Sequence, residues 1–279
     1  MEKIALFTVF YPGAEIYVDD FFQSIKSQTC KNFELIIVND GYKDKNLQSL
    51  CPELPIIELG GANKISTNRA IGIKYAIDNH YDYLLLFDVD DYFSPLRVEK
   101  SVEAIADADI IVNDLDIVDA NRKVFFESYF SKSIGPDIEL NPEFLLDKNI
   151  FGFSNTALRV SKLERITFPE DLQIVDWYYF TILLREGLHA KFLPLALTEY
   201  RQHSANMIGI ATYSLEMFKN LLLLKKKHYS YFKGIDEYDK RFLLMDKIEN
   251  MTDEEKMLLL EKNERQIPYP LWWQNIRIS

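Results

Sequence analysis

Tyr83-Leu-Leu-Leu-Phe-Asp-Val-Asp-Asp91 decides how the rest of the chain is read. Five apolar residues, short enough for a buried strand, run directly into three carboxylates within four positions. Like charges that close repel unless a cation sits among them, and hard oxygen ligands suit Mg²⁺ or Mn²⁺, with a diphosphate able to complete the coordination. An isolated acidic triplet could equally be a solvated turn or a helix N-terminus favoured by the helix dipole. What separates these readings is what else falls beside it.

Upstream, Ile4–Val9 and Phe33–Val38 are further buried-strand runs, and Asp109–Val112 follows downstream. Between them, Val18, Phe22 and Ile25, then Ala70, Ile73 and Ile77, recur at helical spacing. Ser94-Pro95 reads as an N-cap with proline at the first helical position, and Val98, Val102 and Ile105 continue that helix. Strand and helix alternate as in a mostly parallel α/β sheet. Polar residues gather at the carboxyl ends of three of the runs: Thr8, Asn39-Asp40-Gly41 and Asp88–Asp91. Open α/β sheets bind ligands there, so three separated segments point to one site.

Asp116–Val118 and Val124–Phe126 flank the polar Asp119-Ala-Asn-Arg122 and read as a hairpin. Residues 140 to 207 mix short helices and strands, and beyond Ala211 long Leu-, Lys- and Glu-rich helices lead to Pro268-Tyr-Pro-Leu-Trp272-Trp273. Three regions are expected: a nucleotide half at 1–115, an acceptor half of the same domain at 116–208, and a helical C-terminal extension at 209–279.

The net charge of −11 argues against a nucleic-acid partner, whose phosphates need clustered Lys and Arg. A phosphate-bearing ligand would have to meet local positive charge, such as a bound dication. The only cysteines, Cys30 and Cys51, have no ligand spacing and read as reduced, packed thiols of a cytoplasmic protein. The short apolar run after Met1-Glu2-Lys3 is a poor signal peptide, and no stretch is long enough to span a bilayer.

Together the motifs resemble a family 2 glycosyltransferase of the GT-A fold, a Rossmann-like mixed sheet flanked by helices. The likeness covers about residues 3–207. Ile4-Ala-Leu-Phe-Thr8-Val-Phe-Tyr11 resembles the family's opening strand, Phe22-Gln-Ser-Ile-Lys-Ser-Gln-Thr29 its first helix, and Phe33–Gly41 the strand whose terminal acids hold the nucleoside. Asn68-Arg69-Ala-Ile-Gly72 is similar to its Ala-Arg-Asn-x-Gly segment, Asp88–Asp91 to its Asp-x-Asp-Asp metal motif, Val175-Asp176…Arg185 to the segment carrying its general base, and Tyr200-Arg201-Gln-His203 to its Tyr-Arg-x-His ending. Asn39, Tyr42, Ala70 and Val175 depart from the pattern; Asp40, the metal motif and Asp176 are kept.

The resemblance implies a hexosyltransferase-like enzyme using Mn²⁺ or Mg²⁺. It would move a sugar, with inversion, from a nucleotide diphosphate sugar, a UDP-sugar being expected, to a hydroxyl of a glycan or lipid-linked saccharide in polysaccharide biosynthesis. It assigns Thr8, Asp40, Arg69, Asp88 and Asp90 to the nucleotide, Asp91, Asp90 and His203 to the metal, and Asp176 to the base. A helix cap is the alternative role for Asp176. Two rivals remain: a sugar nucleotidyltransferase, against which Val9-Phe-Tyr-Pro-Gly13 is no Gly-rich basic phosphate loop, and a noncatalytic nucleotide-sugar-binding module. In the extension, Leu221–Leu224, Lys225-Lys226-Lys227 and Trp272-Trp273 suggest peripheral docking at the inner face of a membrane, with packing on the catalytic domain or a homodimer as the alternative.

Overall fold

The computed structural model describes residues 2–43, 46–202, 214–266 and 270–274. In chain order the elements are β1 (Ile4–Phe10), α1 (Val18–Lys26), β2 (Glu34–Asn39), α2 (Leu47–Leu50), β3 (Ile56–Gly60), α3 (Ile65–Asp78), β4 (Tyr83–Leu86), β5 (Tyr92–Phe93) and α4 (Arg97–Ala104). There follow β6 (Ile110–Val118), β7 (Val124–Phe126), α5 (Tyr129–Ile134), β8 (Thr156–Arg159), α6 (Val175–Arg185), β9 (Ala190–Arg201), α7 (Leu215–Ser230), α8 (Asp236–Glu249) and α9 (Asp253–Gln266). One mixed sheet runs β3-β2-β1-β4-β8-β6-β9-β5, with β7 paired to β6 as the expected hairpin. β3, β2, β1 and β4 are parallel, β8 is antiparallel to both β4 and β6, and β6 is again parallel to β9. Residues 110–118 of β6 cross the position where the sequence divides the two halves, so the sheet is continuous there.

β1 is central and buried at every position, which is why it reads as an unbroken apolar run. Its alternate residues feed two cores: Ala5, Phe7 and Val9 face α3, α6 and the C-terminal helices, whereas Ile4, Leu6 and Phe10 face α1 and α4. α3 approaches β1 at Gly72, where a Cβ would collide with the Phe7 ring. That close approach fixes where Arg69, one turn earlier on α3, comes to lie.

Two local expectations change. The helix anticipated from Ser94-Pro95 begins at Arg97, with Leu96 as its cap. Ser94 is still tied to the sheet, since its N–H donates to the Leu197 carbonyl at 3.0 Å while its own carbonyl accepts from Gln28 Nε2 at 2.8 Å. The helix bearing Asp176 begins at Val175, with Ile174 as its cap and no side-chain capping bond. Asp176 therefore lies inside the first turn and is not the N-cap.

The C-terminal helices pack on the α6 side of the sheet. Trp272 and Trp273 are 6% and 2% exposed. Lys225 is buried, Lys226 pairs with Asp246 and Glu249, and Lys227 pairs with Asp171. Of the groups offered for membrane docking, Trp272, Trp273, Lys225, Leu221 and Leu222 are buried and Lys226 and Lys227 are ion-paired, while Leu223 is exposed. No helix among the described residues is long and apolar enough to cross a membrane.

Gly72→Ala is expected to destabilise the fold by about 1–3 kcal/mol, because the methyl must displace a fully buried ring. Chemical denaturation measures this; an unchanged midpoint would show that α3 does not depend on that approach.

Candidate active site

The acidic turn is fixed at both ends. β4 delivers Asp88 from the parallel part of the sheet, while β5 carries the chain from Asp91 onto β9. At the far end of β9, the Arg201 N–H donates to Asp91 Oδ1 at 2.8 Å. Arg201 itself is buried and reaches Asp20 on α1 at 2.8 Å and the Ala120 carbonyl in the hairpin at 3.2 Å. Three parts of the chain are so gathered at the strand ends.

Carboxylate oxygens of Asp88, Asp90 and Asp91 all lie within 4.8 Å of one another. At an effective dielectric near 20, such spacing costs on the order of 3 kcal/mol per ionised pair. Burial first, and then the neighbouring Asp90 and Asp88 charges, hold the Asp91 carboxyl well above the ordinary carboxylate range. Burial also raises Asp88, against the Arg69 guanidinium, which lowers it. Asp91 Oδ2 is buried and has no hydrogen-bond partner. An orphaned carboxylate oxygen beside two further acids is a donor set suited to a hard dication. His203 lies outside the described residues.

Arg69 pairs with Asp88 and places its guanidinium 4.4 Å from the centre of the Phe153 ring. These residues border a cleft of about 170 Å³ that also contains Gln173, Asp176, Trp272 and Trp273. Asp176 is half-buried, and its Oδ2 accepts from Asn149 Nδ2 at 3.3 Å. Burial, opposed by the Trp177 backbone N–H and reinforced by Asp88, pushes its carboxyl up to about 6. It is then mostly ionised at neutral pH, yet a better proton acceptor than an ordinary carboxylate.

Asp40 stands at the end of β2, accepts from the Asn63 N–H at 2.6 Å, and so braces the loop that leads into α3. It does not line the cleft. Thr8 is fully buried within β1, its hydroxyl unpartnered, and presents no surface to a ligand in this conformation. The structure thus brings Arg69, Asp88 and Asp176 to one cleft, sets Asp90 and Asp91 beside Asp88 without their lining it, and leaves Asp40 and Thr8 outside it.

Sequence reasoning passed over Tyr11, Asn149 and the role of Trp272-Trp273. Tyr11 follows β1, and burial together with Asp90 and Asp88 drives its hydroxyl far above the usual range. Its place beside the polar end of the first strand was the available signal. Nothing local marks Asn149, whose meaning comes only from contacts across the fold.

Residues 8–167 match the model of the family described as Glycosyl transferase family 2. The chain belongs to that family. An uncharacterised glycosyltransferase of Bacillus subtilis, YwdF, is 36% identical over 107 residues, which is 37% of this chain and 39% of that protein. The chain thus matches well under half the length of this relative. Among solved structures, S. aureus TarS 1-349 in complex with UDP-GlcNAc superposes with a TM-score of 0.58 at 16% identity, over 96% of this chain and 87% of the other. The mannosyltransferase PcManGT of Pyrobaculum calidifontis, in complex with GDP-Man and Mn²⁺, gives 0.59 at 13% identity, over 91% and 72%. At these identities the likeness shows the fold, which is the GT-A arrangement expected from the sequence.

The Asp176 carboxyl also yields a stability test. Its folded-state value is raised, so the folded chain retains the proton that the unfolded chain loses, and stability falls as pH rises from about 4 to about 6. Above pH 6 the full cost is present, about 1–3 kcal/mol for a half-buried group. In chelator, Asp176→Asn should therefore melt higher than the wild type at pH 7.5, with the gap closing toward pH 4. A variant that melts lower at every pH would make the carboxylate a structural support.

Proposed function

We propose that the chain transfers a sugar from a nucleotide diphosphate sugar to a hydroxyl of a glycan or lipid-linked saccharide, inverting the anomeric centre. The observation that carries this reading is that Asp176, with its carboxyl near 6, shares one cleft with Asp88 and Arg69. A proton acceptor and a guanidinium able to meet phosphate thus border the same small space.

Asp176 takes the proton of the acceptor hydroxyl as that oxygen attacks the anomeric carbon from the face opposite the diphosphate. Displacement in one step inverts the configuration. Asn149 orients the accepting carboxylate through its amide N–H. Arg69, stacked on Phe153 and paired with Asp88, puts positive charge beside the departing diphosphate. Asp91 and Asp90, with His203 by the family resemblance, would hold Mn²⁺ or Mg²⁺, which when bound neutralises charge on the leaving group. Asp40 and its braced loop serve the nucleoside. UDP-GlcNAc in TarS and GDP-Man in PcManGT support a nucleotide diphosphate sugar donor, and a UDP-sugar is the one we favour. The division into a nucleotide half, an acceptor half and an extension is part of this proposal.

Two substitutions separate binding from chemistry. Asp176→Asn should lower transfer by about 10²–10⁴-fold, the usual contribution of a general base, while donor affinity persists. Near-normal turnover would exclude Asp176 as the base. Asp91→Asn should instead abolish Mn²⁺-dependent nucleotide binding, as calorimetry would measure; full wild-type activity in chelator would remove the metal from the account.

A further inference from the structure

Lys225 on α7 is 1% exposed, yet among the described residues it forms no ion pair. Its ammonium donates instead to two backbone carbonyls, those of Asp147 at 3.2 Å and of Trp273. Burial lowers the ammonium to about 8, and the Asp147 carboxylate, itself paired with Lys148, offsets this only in part. The group is therefore still mostly charged at neutral pH. An ammonium taken out of water with only carbonyls to receive it costs free energy, and an apolar side chain of similar length would fill the space without that cost. What the ammonium adds is direction, since it ties the segment leading to Asn149 to the C-terminal tail.

Both tied pieces run to Asp176. Two residues past Asp147, the Asn149 N–H donates to the Trp272 carbonyl at 2.8 Å, which completes a clasp between residues 147–149 and 272–273. The Asn149 side chain accepts from the Phe151 N–H at 2.9 Å and donates to the Phe151 carbonyl at 2.6 Å, and the same amide donates to Asp176 Oδ2 at 3.3 Å. Trp177, next to Asp176 on α6, is gripped by the same parts of the chain. Its Nε1 donates to the Leu145 carbonyl at 2.6 Å, Trp273 stacks on it at 5.6 Å, and His228, one turn beyond Lys225, stacks on it at 3.8 Å. Trp273 adopts φ +70°, a left-handed conformation that a bulky residue takes only when its surroundings impose it. The clasp thus joins α7, the tail and the start of α6 around one carboxylate.

We propose that Lys225 is a positioning residue for transfer: by clasping residues 147–149 to the tail, it holds the Asn149 amide and, through it, the Asp176 carboxylate in the orientation that accepts the proton. The proposal rests on the transferase reading and adds that the C-terminal extension serves the chemical step. The hydrogen bonds of the clasp involve none of Arg69, Asp88, Asp90 and Asp91, so donor binding is left to the other side of the site. A misplaced base, by contrast, loses rate steeply, because proton transfer demands close alignment.

The rate is read as nucleotide release from UDP-GlcNAc, UDP-glucose or GDP-mannose with Mn²⁺, with p-nitrophenyl β-glucoside or water as the acceptor. Water is a fair stand-in, because it too must lose its proton as it attacks. Lys225→Met should lower kcat by about ten- to a hundredfold, while affinity for UDP–Mn²⁺ or GDP–Mn²⁺ by calorimetry stays within about twofold. The deciding comparison is made without the base. If Lys225 acts through Asp176, the double variant Asp176→Asn, Lys225→Met should be no slower than Asp176→Asn alone. Should Lys225→Met fail to fold, Lys225→Gln, which keeps an amide donor for one of the two carbonyls, is measured in the same way. Unchanged kcat in a folded variant, a further loss of rate in the Asp176→Asn background, or a parallel loss of nucleotide affinity would overturn the proposal. So would the failure of both variants to fold, which would make the ammonium a structural support. A wild type that binds neither nucleotide, or releases it from none of the donors, would strike the transferase reading itself, and this proposal with it.

Discussion

Three carboxylates held within 4.8 Å of one another at the end of β4 are the constraint on which the rest of the site depends. Left free, such a turn would splay into water. Here β5 and the Arg201 amide pin it to β9, and Arg69 brings one balancing charge from α3. The sheet must therefore close around the turn before the acids can converge. This explains why a buried arginine, Arg201, ties α1, the β6–β7 hairpin and β9 together at that point. The remaining charge imbalance is the physical reason to expect a dication.

The sheet sets apart two cores, and the chemistry follows the division. One side, with α1 and α4, is a simple apolar layer under the strands. The other holds α3, α6 and the C-terminal helices, and it is here that Arg69, Asp176 and the tryptophan tail are brought to a common cleft. Gly72 lets α3 sit close enough to aim Arg69, while Gly152 makes room for Trp272. Rigid packing behind the cleft keeps Asp176 half-buried, and that burial raises its affinity for a proton.

Much of the parallel part was legible because its strands are buried on both faces and so appear as unbroken apolar runs. β1, β2 and β4 come directly from that signal, whereas α1 and α3 showed through apolar residues at helical spacing and the acid turn through its carboxylates. β9 gave none of it. Pro194 interrupts the strand, and the register against β6 slips around it, with Asn113 opposite Leu193 but Asp114 opposite Ala196. Proline lacks the ladder donor, so a bulged strand does not announce itself as a strand. At the site, the acids and Arg69 were visible as motifs, whereas Asn149 and the tail were not. Their importance lies in contacts made away from their own segments, 27 residues from Asn149 to Asp176 and more than a hundred from Asn149 to Trp272. Trp272 and Trp273 even suggested a membrane surface, because a sequence shows that a residue is aromatic but not what covers it.

The most direct measurement is thermal melting of the wild type with UDP, Mn²⁺, both or neither at pH 7.5, with chelator in the metal-free arms. Ligands that bind the folded state raise its melting temperature. If the converging carboxylates require a cation to admit a diphosphate, Mn²⁺ alone should stabilise the protein, and UDP should add to that only when Mn²⁺ is present. Equal stabilisation by UDP in chelator, or no response to Mn²⁺, would contradict the account.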